Sequence, residues 1–378
     1  LVEGKIRVAV LFGGRSGEHE VSINSAVSVI AALDKEKYDV VPVAITKEGE
    51  WLFNADLLEA GLKGSFGNKS IAGTLLADPT KKGFVLFSKE EGVLSIKEEQ
   101  VEVIIPVLHG TYGEDGTVQG LLELANIPYV GAGVLASALG MDKVVMKTVF
   151  ARHGLPQTDF IMVLRRDVEE NLQRVMTEIE EALGYPAFVK PANLGSSVGI
   201  SKAKNRDQLA VALWEAARYD RKLIIEKGID AREIEVSVLG NDAPEASLPG
   251  EIIPSNEFYD YEAKYVDGKS QLIIPADLLP ETVQEVRRLA VDAFKAIDCS
   301  GMARVDFFLA RDTGEVLVNE INTIPGFTRF SMYPKLWEAS GLSYSRLLDR
   351  LIELAIERHA DKNKSETTYA IKKQCQGK

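Results

Sequence analysis

The chain has 378 residues, 46% hydrophobic and 26% charged, which is the balance of a globular protein too long for one ordinary core. Its formal net charge of -12 excludes nonspecific nucleic-acid binding but leaves room for an anionic nucleotide held by a few lysines. Two cysteines, Cys299 and Cys375, offer neither a disulfide framework nor metal-ligand spacing, and no apolar run reaches the roughly 18 residues that span a membrane. Leu1 leads straight into a charged strand segment without the pattern of an export signal, so a cytoplasmic protein is expected.

In chain order, residues 6–12 and 38–45 are apolar β-runs around a helical stretch at 20–33. A third run at 101–108 is followed by a helix near 117–125, which is the βαβ pattern of a parallel sheet with helices on both faces. Residues 142–153 read as one helix ended by Pro156. A second unit follows, with strands at 158–163, 186–190, 198–203 and 222–226 and helices at 167–183 and 205–218. The third opens with a strand at 232–239, then a long loop at 255–274 and a helix at 282–298 with one apolar face (Val283, Val286, Ala290, Ala293, Phe294, Ile297). Boundaries are expected near 130 and 230, giving domains at 1–130, 131–230 and 231–360 and a polar tail at 361–378.

Two strands late in the chain, Gly301–Leu309 and Glu315–Asn322, carry the sharpest signal. Asp312-Thr313-Gly314 reads as a three-residue hairpin loop with Gly314 at positive φ. If Arg311 faces Glu315, Asp306 stands opposite Glu320 and Arg304 opposite Asn322, all four on one face. Facing carboxylates repel, and a hard cation between them reverses that cost. The competing reading is a solvated outer face.

Other segments bear chemistry more weakly. Phe12–Ser22, with its paired glycines, follows the first strand, where open α/β sheets bind ligands, and lacks dinucleotide spacing. Lys190 ends a buried strand before the loop Gly195-Ser196-Ser197-Val198-Gly199, whose amides and hydroxyls suit phosphate oxygens; the alternative is a snorkelling lysine beside a flexible hairpin. Glu226, Lys227 and Glu233 lie at strand ends, where exposed charges are ordinary. His109 follows a strand at its carboxyl end, where a lone histidine is more often structural than catalytic. Tyr259, Tyr261, Lys264 and Tyr265 in the long loop suggest a closing lid or a loop pinned by its aromatics.

In combination, GGRSGEHEVS, HGTYGEDG, MDK, VKPANLGSSVGI, FYDYEAKY, RVDFF and NEINTIPGFT resemble the D-alanine–D-alanine ligases of the ATP-grasp superfamily, over about residues 5–358. The resemblance implies an α/β, three-domain ATP-grasp fold whose N-terminal domain is a Rossmann-like parallel sheet. It implies that ATP phosphorylates one D-alanine and that a second attacks the acyl phosphate, for peptidoglycan precursor synthesis. By the same resemblance Asp306, Glu320 and Asn322 hold Mg²⁺ or Mn²⁺, in two ions. Lys143, Lys190, Ser197, Glu226, Lys227, Glu233 and the lid residue Lys264 bind ATP. Glu18 takes the first ammonium and is tied to Ser196 and Tyr265. Arg304 and the Gly326 amide stabilise the oxyanion. His109, Ser331 and Met332 contact substrate. A homodimer is implied, and a monovalent cation is left open.

Ligases that make D-alanyl-D-lactate share the scaffold but lack the Tyr261–Tyr265 pattern. Arg329 replaces the smaller residue or proline often found there, close to the second-substrate site. The other readings are a different ATP-grasp carboxylate–amine or carboxylate–hydroxyl ligase, and a nucleotide-binding regulatory protein that has lost catalysis. The second needs damage to a metal ligand or oxyanion donor, yet Asp306, Glu320, Asn322 and Arg304 are all present.

Overall fold

The computed structural model describes residues 4–367, except 55, 65, 67–69, 91–92, 196–197 and 254–270. Three sheets follow one another along the chain. In the first, β1 (Ile6–Gly13) lies between β2 (Tyr38–Ile45) and β7 (Val103–Pro106), both parallel to it. Val8, Val10 and Phe12 bury against α1 (His19–Ala32) and the C-terminal helix α10 (Tyr344–Lys362). Ala9 and Leu11 bury on the other face with α3 (Thr117–Leu124). A central parallel strand covered on both faces reads as an unbroken apolar run, which is why β1 and β7 are legible.

The parallel sheet expected for the N-terminal domain is correct only for these three strands. β3 (Trp51–Phe53), β4 (Ile71–Leu75), β5 (Gly83–Glu90) and β6 (Val93–Gln100) extend it from β2 as an antiparallel meander, with α2 (Leu57–Leu62) between β3 and β4. These strands are short or half-exposed, so their periodicity is weak. The helix expected over 142–153 is preceded by a second one. α4 (Val134–Met141) and α5 (Lys143–Arg152) flank Asp142, whose carboxylate caps α5 by accepting from the Val145 N–H at 3.1 Å.

The second sheet, antiparallel throughout, runs β10 (Ser201–Ala203), β9 (Ala187–Pro191), β11 (Lys222–Lys227), β8 (Phe160–Leu164). Its core includes the apolar faces of α6 (Arg165–Ala182) and α7 (Arg206–Tyr219). The third sheet runs β15 (Gln271–Ile273), β14 (Gly250–Ile253), β12 (Ala231–Gly240), β16 (Gly301–Ala310), β17 (Val316–Asn322), with β13 (Glu245–Ala246) also on β12. α8 (Pro280–Ala296) and residues of α4 and α5 share its core, and α9 (Met332–Ala339) packs beside it. The end of the expected 255–274 lid is therefore strand, because β15 pairs with β14 through Ile273 and Glu251; the rest lies outside the described residues.

Candidate active site

The β16–β17 hairpin sets the site. Asp306 pairs with Glu320 and Arg304 with Asn322, as the sequence predicts. The route differs from the expected one. Ala310, not Arg311, faces Glu315 across a four-residue loop, since the Ala310 N–H donates to the Glu315 carbonyl at 3.0 Å. A register shift beside Asp306 then leaves Asn319 unpaired in the ladder and restores the expected alignment. Without that bulge, Asp306 would face Asn319. β12 adds Glu235 opposite Asp306, so Glu235, Asp306 and Glu320 form one row across three strands. Arg304 crosses this row. It donates to both Asp306 oxygens at 2.7 Å and stands 3.0 Å from Glu235. Burial opposes its charge, but Asp306 and Glu235 outweigh that and raise its pKa. Glu235 was not singled out from the sequence. The alternation Glu233–Glu235 put it on a face with Glu233, but its partner strand was hidden.

A cavity of about 890 Å³ opens beside Glu235, Arg304, Glu320 and Asn322, lined also by Glu18, Glu114, Lys143, Gly326, Ser331 and Met332; Asp306 is not part of its lining. Gly13, at φ +89°, turns the chain from β1 toward α1; a Cβ there would lie 2.3 Å from the Ile45 carbonyl oxygen. The turn leaves Glu18 buried just before α1. Its carboxylate lies against the backbone of Gly110 and Gly195, where added Cβ atoms would come within 2.8 and 3.0 Å. Glu114 accepts from the Gly110 N–H at 3.0 Å. Burial, with the Glu18 charge added, pushes its carboxyl up to about 8.

His109 lines the cavity, but both ring nitrogens are engaged inside the protein. Nδ1 lies 3.1 Å from the Ile324 carbonyl, which only accepts, so it carries the proton. Nε2 then accepts from Ser25 Oγ at 3.2 Å, and Ser25 Oγ accepts from the Phe327 N–H at 3.4 Å. Burial lowers the His109 pKa and keeps the ring neutral, as this relay requires. Two residues from the first sheet's side thus grip the backbone on either side of Gly326. The Ser331 hydroxyl, at the N-terminus of α9, meets the Thr328 hydroxyl at 2.8 Å.

Lysines gather where α5 meets the central strands β9 and β11 of the second sheet. Lys143 donates to the Leu194 carbonyl at 2.9 Å and stands 3.4 Å from Glu320. Lys190 pairs with the buried Glu226, whose other oxygen is 2.8 Å from Lys147. Burial alone would raise the Glu226 pKa, but Lys147 and Lys190 hold it down to about 2. Lys147 was missed because it falls inside an apolar helix face (Met146, Phe150) without a motif of its own. Lys190, Glu226, Lys227 and Glu233 do not line the main cavity. Lys227 and Glu233 stand near the adjoining ends of β11 and β12. Ser196, Ser197, Lys264 and Tyr265 lie outside the described residues.

Asp306, Glu320 and Asn322 offer the hard oxygen donors that Mg²⁺ takes. Among the described residues no group of three or more His, Cys, Asp or Glu side chains is arranged to hold a metal alone. The donor set fits a cation completed by an amide and phosphate oxygens, and the excess negative charge of the row suits it. In the state described, Asn322 Nδ2 donates to Asp306 at 3.0 Å, so its amide would turn its oxygen inward. No helix among the described residues is long and apolar enough to cross a membrane.

Comparison with known proteins completes the picture. Residues 7–132 match the family description "D-ala D-ala ligase N-terminus" and residues 149–353 match "D-ala D-ala ligase C-terminus". The D-alanine–D-alanine ligase of Thermoanaerobacter sp. (strain X514) is 57% identical over 362 residues, covering 95% of this chain and 98% of the relative. That of Geobacillus thermodenitrificans is 51% identical over 374 residues, covering 98% and 100%. Among solved structures, the Coxiella burnetii D-alanine–D-alanine ligase superposes with a TM-score of 0.80 at 41% identity, covering 96% of this chain and 97% of that one. A D-Ala:D-Ser ligase of Enterococcus faecalis gives 0.82 at 37% identity, covering 93% and 99%.

Proposed function

The chain belongs to the D-alanine–D-alanine ligase family, an ATP-dependent ligase of peptidoglycan precursor synthesis, and we propose that it joins two D-alanines through a D-alanyl phosphate in the cleft above the acid row. The observation that carries this reading is the row itself. Three carboxylates cross the third sheet beside one arginine, and two of them, Glu235 and Glu320, line a cavity that Arg304, Asn322 and Glu18 also line.

Glu18 pairs with the ammonium of the first D-alanine and turns its carboxylate toward ATP. A carboxylate oxygen bonds to the γ-phosphorus as the bridge to the β-phosphate breaks, and ADP leaves. Lys143 and Lys190 supply charge to the phosphates. Asp306, Glu320 and Asn322 would hold Mg²⁺ or Mn²⁺, in two ions. When bound, the cation supplies neutralisation of the phosphate charge. The free amine of the second D-alanine then attacks the acyl carbon. Arg304 and the Gly326 N–H receive the oxyanion, and collapse expels phosphate, which carries off the proton the amine gives up, and leaves the dipeptide. Ser331 and the N-terminus of α9 receive the second carboxylate. By family resemblance, Ser196 and Tyr265 bind Glu18, and Ser197, Lys227, Glu233 and Lys264 contact ATP.

The test is phosphate release from ATP with a panel of D- and L-amino acids and D-hydroxy acids, with product analysis. D-alanine as preferred donor and acceptor is expected. Faster turnover with D-serine or D-lactate as acceptor would overturn the assigned second substrate. A cytoplasmic homodimer is part of the same reading, and sedimentation tests the dimer.

A further inference from the structure

We infer that Lys147 is a positioning residue for nucleotide binding: it keeps Glu226 neutralised so that Lys190 can exchange its buried partner for a phosphate. Lys147 is 1% exposed on α5 and touches no part of the main cavity. Its ammonium meets Glu226 Oε1 at 2.8 Å, with the Thr158 hydroxyl at 3.4 Å and the Phe160 ring centroid at 5.9 Å. Lys190 holds Oε2 of the same carboxylate. Two buried cations thus share one buried anion.

The excess cation has a consequence for exchange. A lone Lys190–Glu226 pair would resist the nucleotide, because moving Lys190 would strand a buried carboxylate. With Lys147 in place, Glu226 retains a partner when Lys190 turns away. β9 ends one residue beyond Lys190, and the chain runs on into Leu194 and Gly195, which line the cavity. Repulsion between two ammoniums on one carboxylate also weakens the hold on Lys190. This inference rests on the proposed role of Lys190 as a phosphate ligand.

The test is a cycle of four proteins: wild type, Lys147→Met, Glu226→Gln and the double variant. KM for ATP is measured beside kcat, and affinity for a fluorescent ADP analogue is measured directly. Lys147→Met should raise the ATP KM about tenfold or more with kcat within about threefold, since only ground-state exchange is penalised. On the Glu226→Gln background the same change should move the KM less than about twofold, because no buried carboxylate remains to strand. An equal rise on both backgrounds would overturn the proposal, as would no rise on the wild-type background. Should Lys147→Met not fold, the Glu226→Gln and double-variant pair is compared with Lys147→Gln; a similar KM effect with and without Glu226 is again fatal. Lys190→Ala separates the two readings. If it leaves the ATP KM unchanged, Lys190 is not a phosphate ligand and the premise fails. If it raises the KM while Lys147→Met does not, the inference alone fails.

Discussion

The second and third sheets handle buried charge in opposite ways. On the third, three carboxylates lie in one row, Glu235 and Asp306 paired with Arg304 and Glu320 at 3.4 Å from Lys143. On the second, two lysines share Glu226. One site has too many anions and the other too many cations. Neither arrangement is what stability alone selects, since buried ion pairs are at best a weak stabilising device. Each is completed by a ligand of the missing sign: a divalent cation over the acid row, phosphate near the lysines. The contrast teaches that a charge removed from one region has a different cost from a charge removed from the other.

The largest effect is expected in the acid row. Glu320→Gln should lower kcat about a thousandfold or more, since several kcal/mol of charge stabilisation depend on that ligand. Its unfolding free energy in urea should stay within about 1 kcal/mol of wild type, because a like charge is relieved as one is lost. Wild-type kcat at saturating Mg²⁺ would rule Glu320 out as a ligand.

Arg304→Met should cost about 10²–10³-fold in kcat, the usual scale for a lost oxyanion donor. It should also destabilise the protein, because Asp306 and Glu235 lose their buried cation. Steady-state kinetics and urea unfolding on one sample check both arms.

Glu226→Gln sharpens the contrast. It strands two buried ammoniums and should lower the unfolding free energy by about 3–5 kcal/mol, where Glu320→Gln does not. Equal stability of these two variants would erase the distinction drawn between the sheets.

The last prediction concerns Glu114 and is read as a slope against pH. Its native pKa, raised to about 8, lies above its unfolded value near 4.5. Between those pH values the native state binds the proton and the unfolded state does not. Native stability therefore falls as pH rises through this window, by up to about 1.4 kcal/mol per unit from this one group. Glu114→Gln removes that slope. Thermal unfolding from pH 5 to 8 should show the variant gaining on wild type as pH rises, and parallel curves would show that Glu114 is ionised at neutral pH.

The sequence by itself determined much of this protein. The strands β1, β2, β9, β11, β12, β16 and β17 were legible, because buried β-runs leave continuous apolar stretches bounded by glycine and proline. It also put Asp306 opposite Glu320, although by a loop one residue too short and without the bulge that makes the pairing true. The antiparallel meander β3–β6 escaped, since short, half-exposed strands carry little periodicity.

What only the tertiary structure decided is which distant residues share one environment. Glu235 joins the acid row through a strand pairing with β16, some seventy positions later. Lys147 meets Glu226 across 79 positions, and Ser25 meets the Phe327 amide across 302. His109 lines the cavity, and its ring nitrogens also tie the first sheet's side to the loop around Gly326. Local pattern fixes which face a side chain takes. Whether a buried charge finds one partner or two depends on chain segments that pack together only in the folded molecule, and no local period records them.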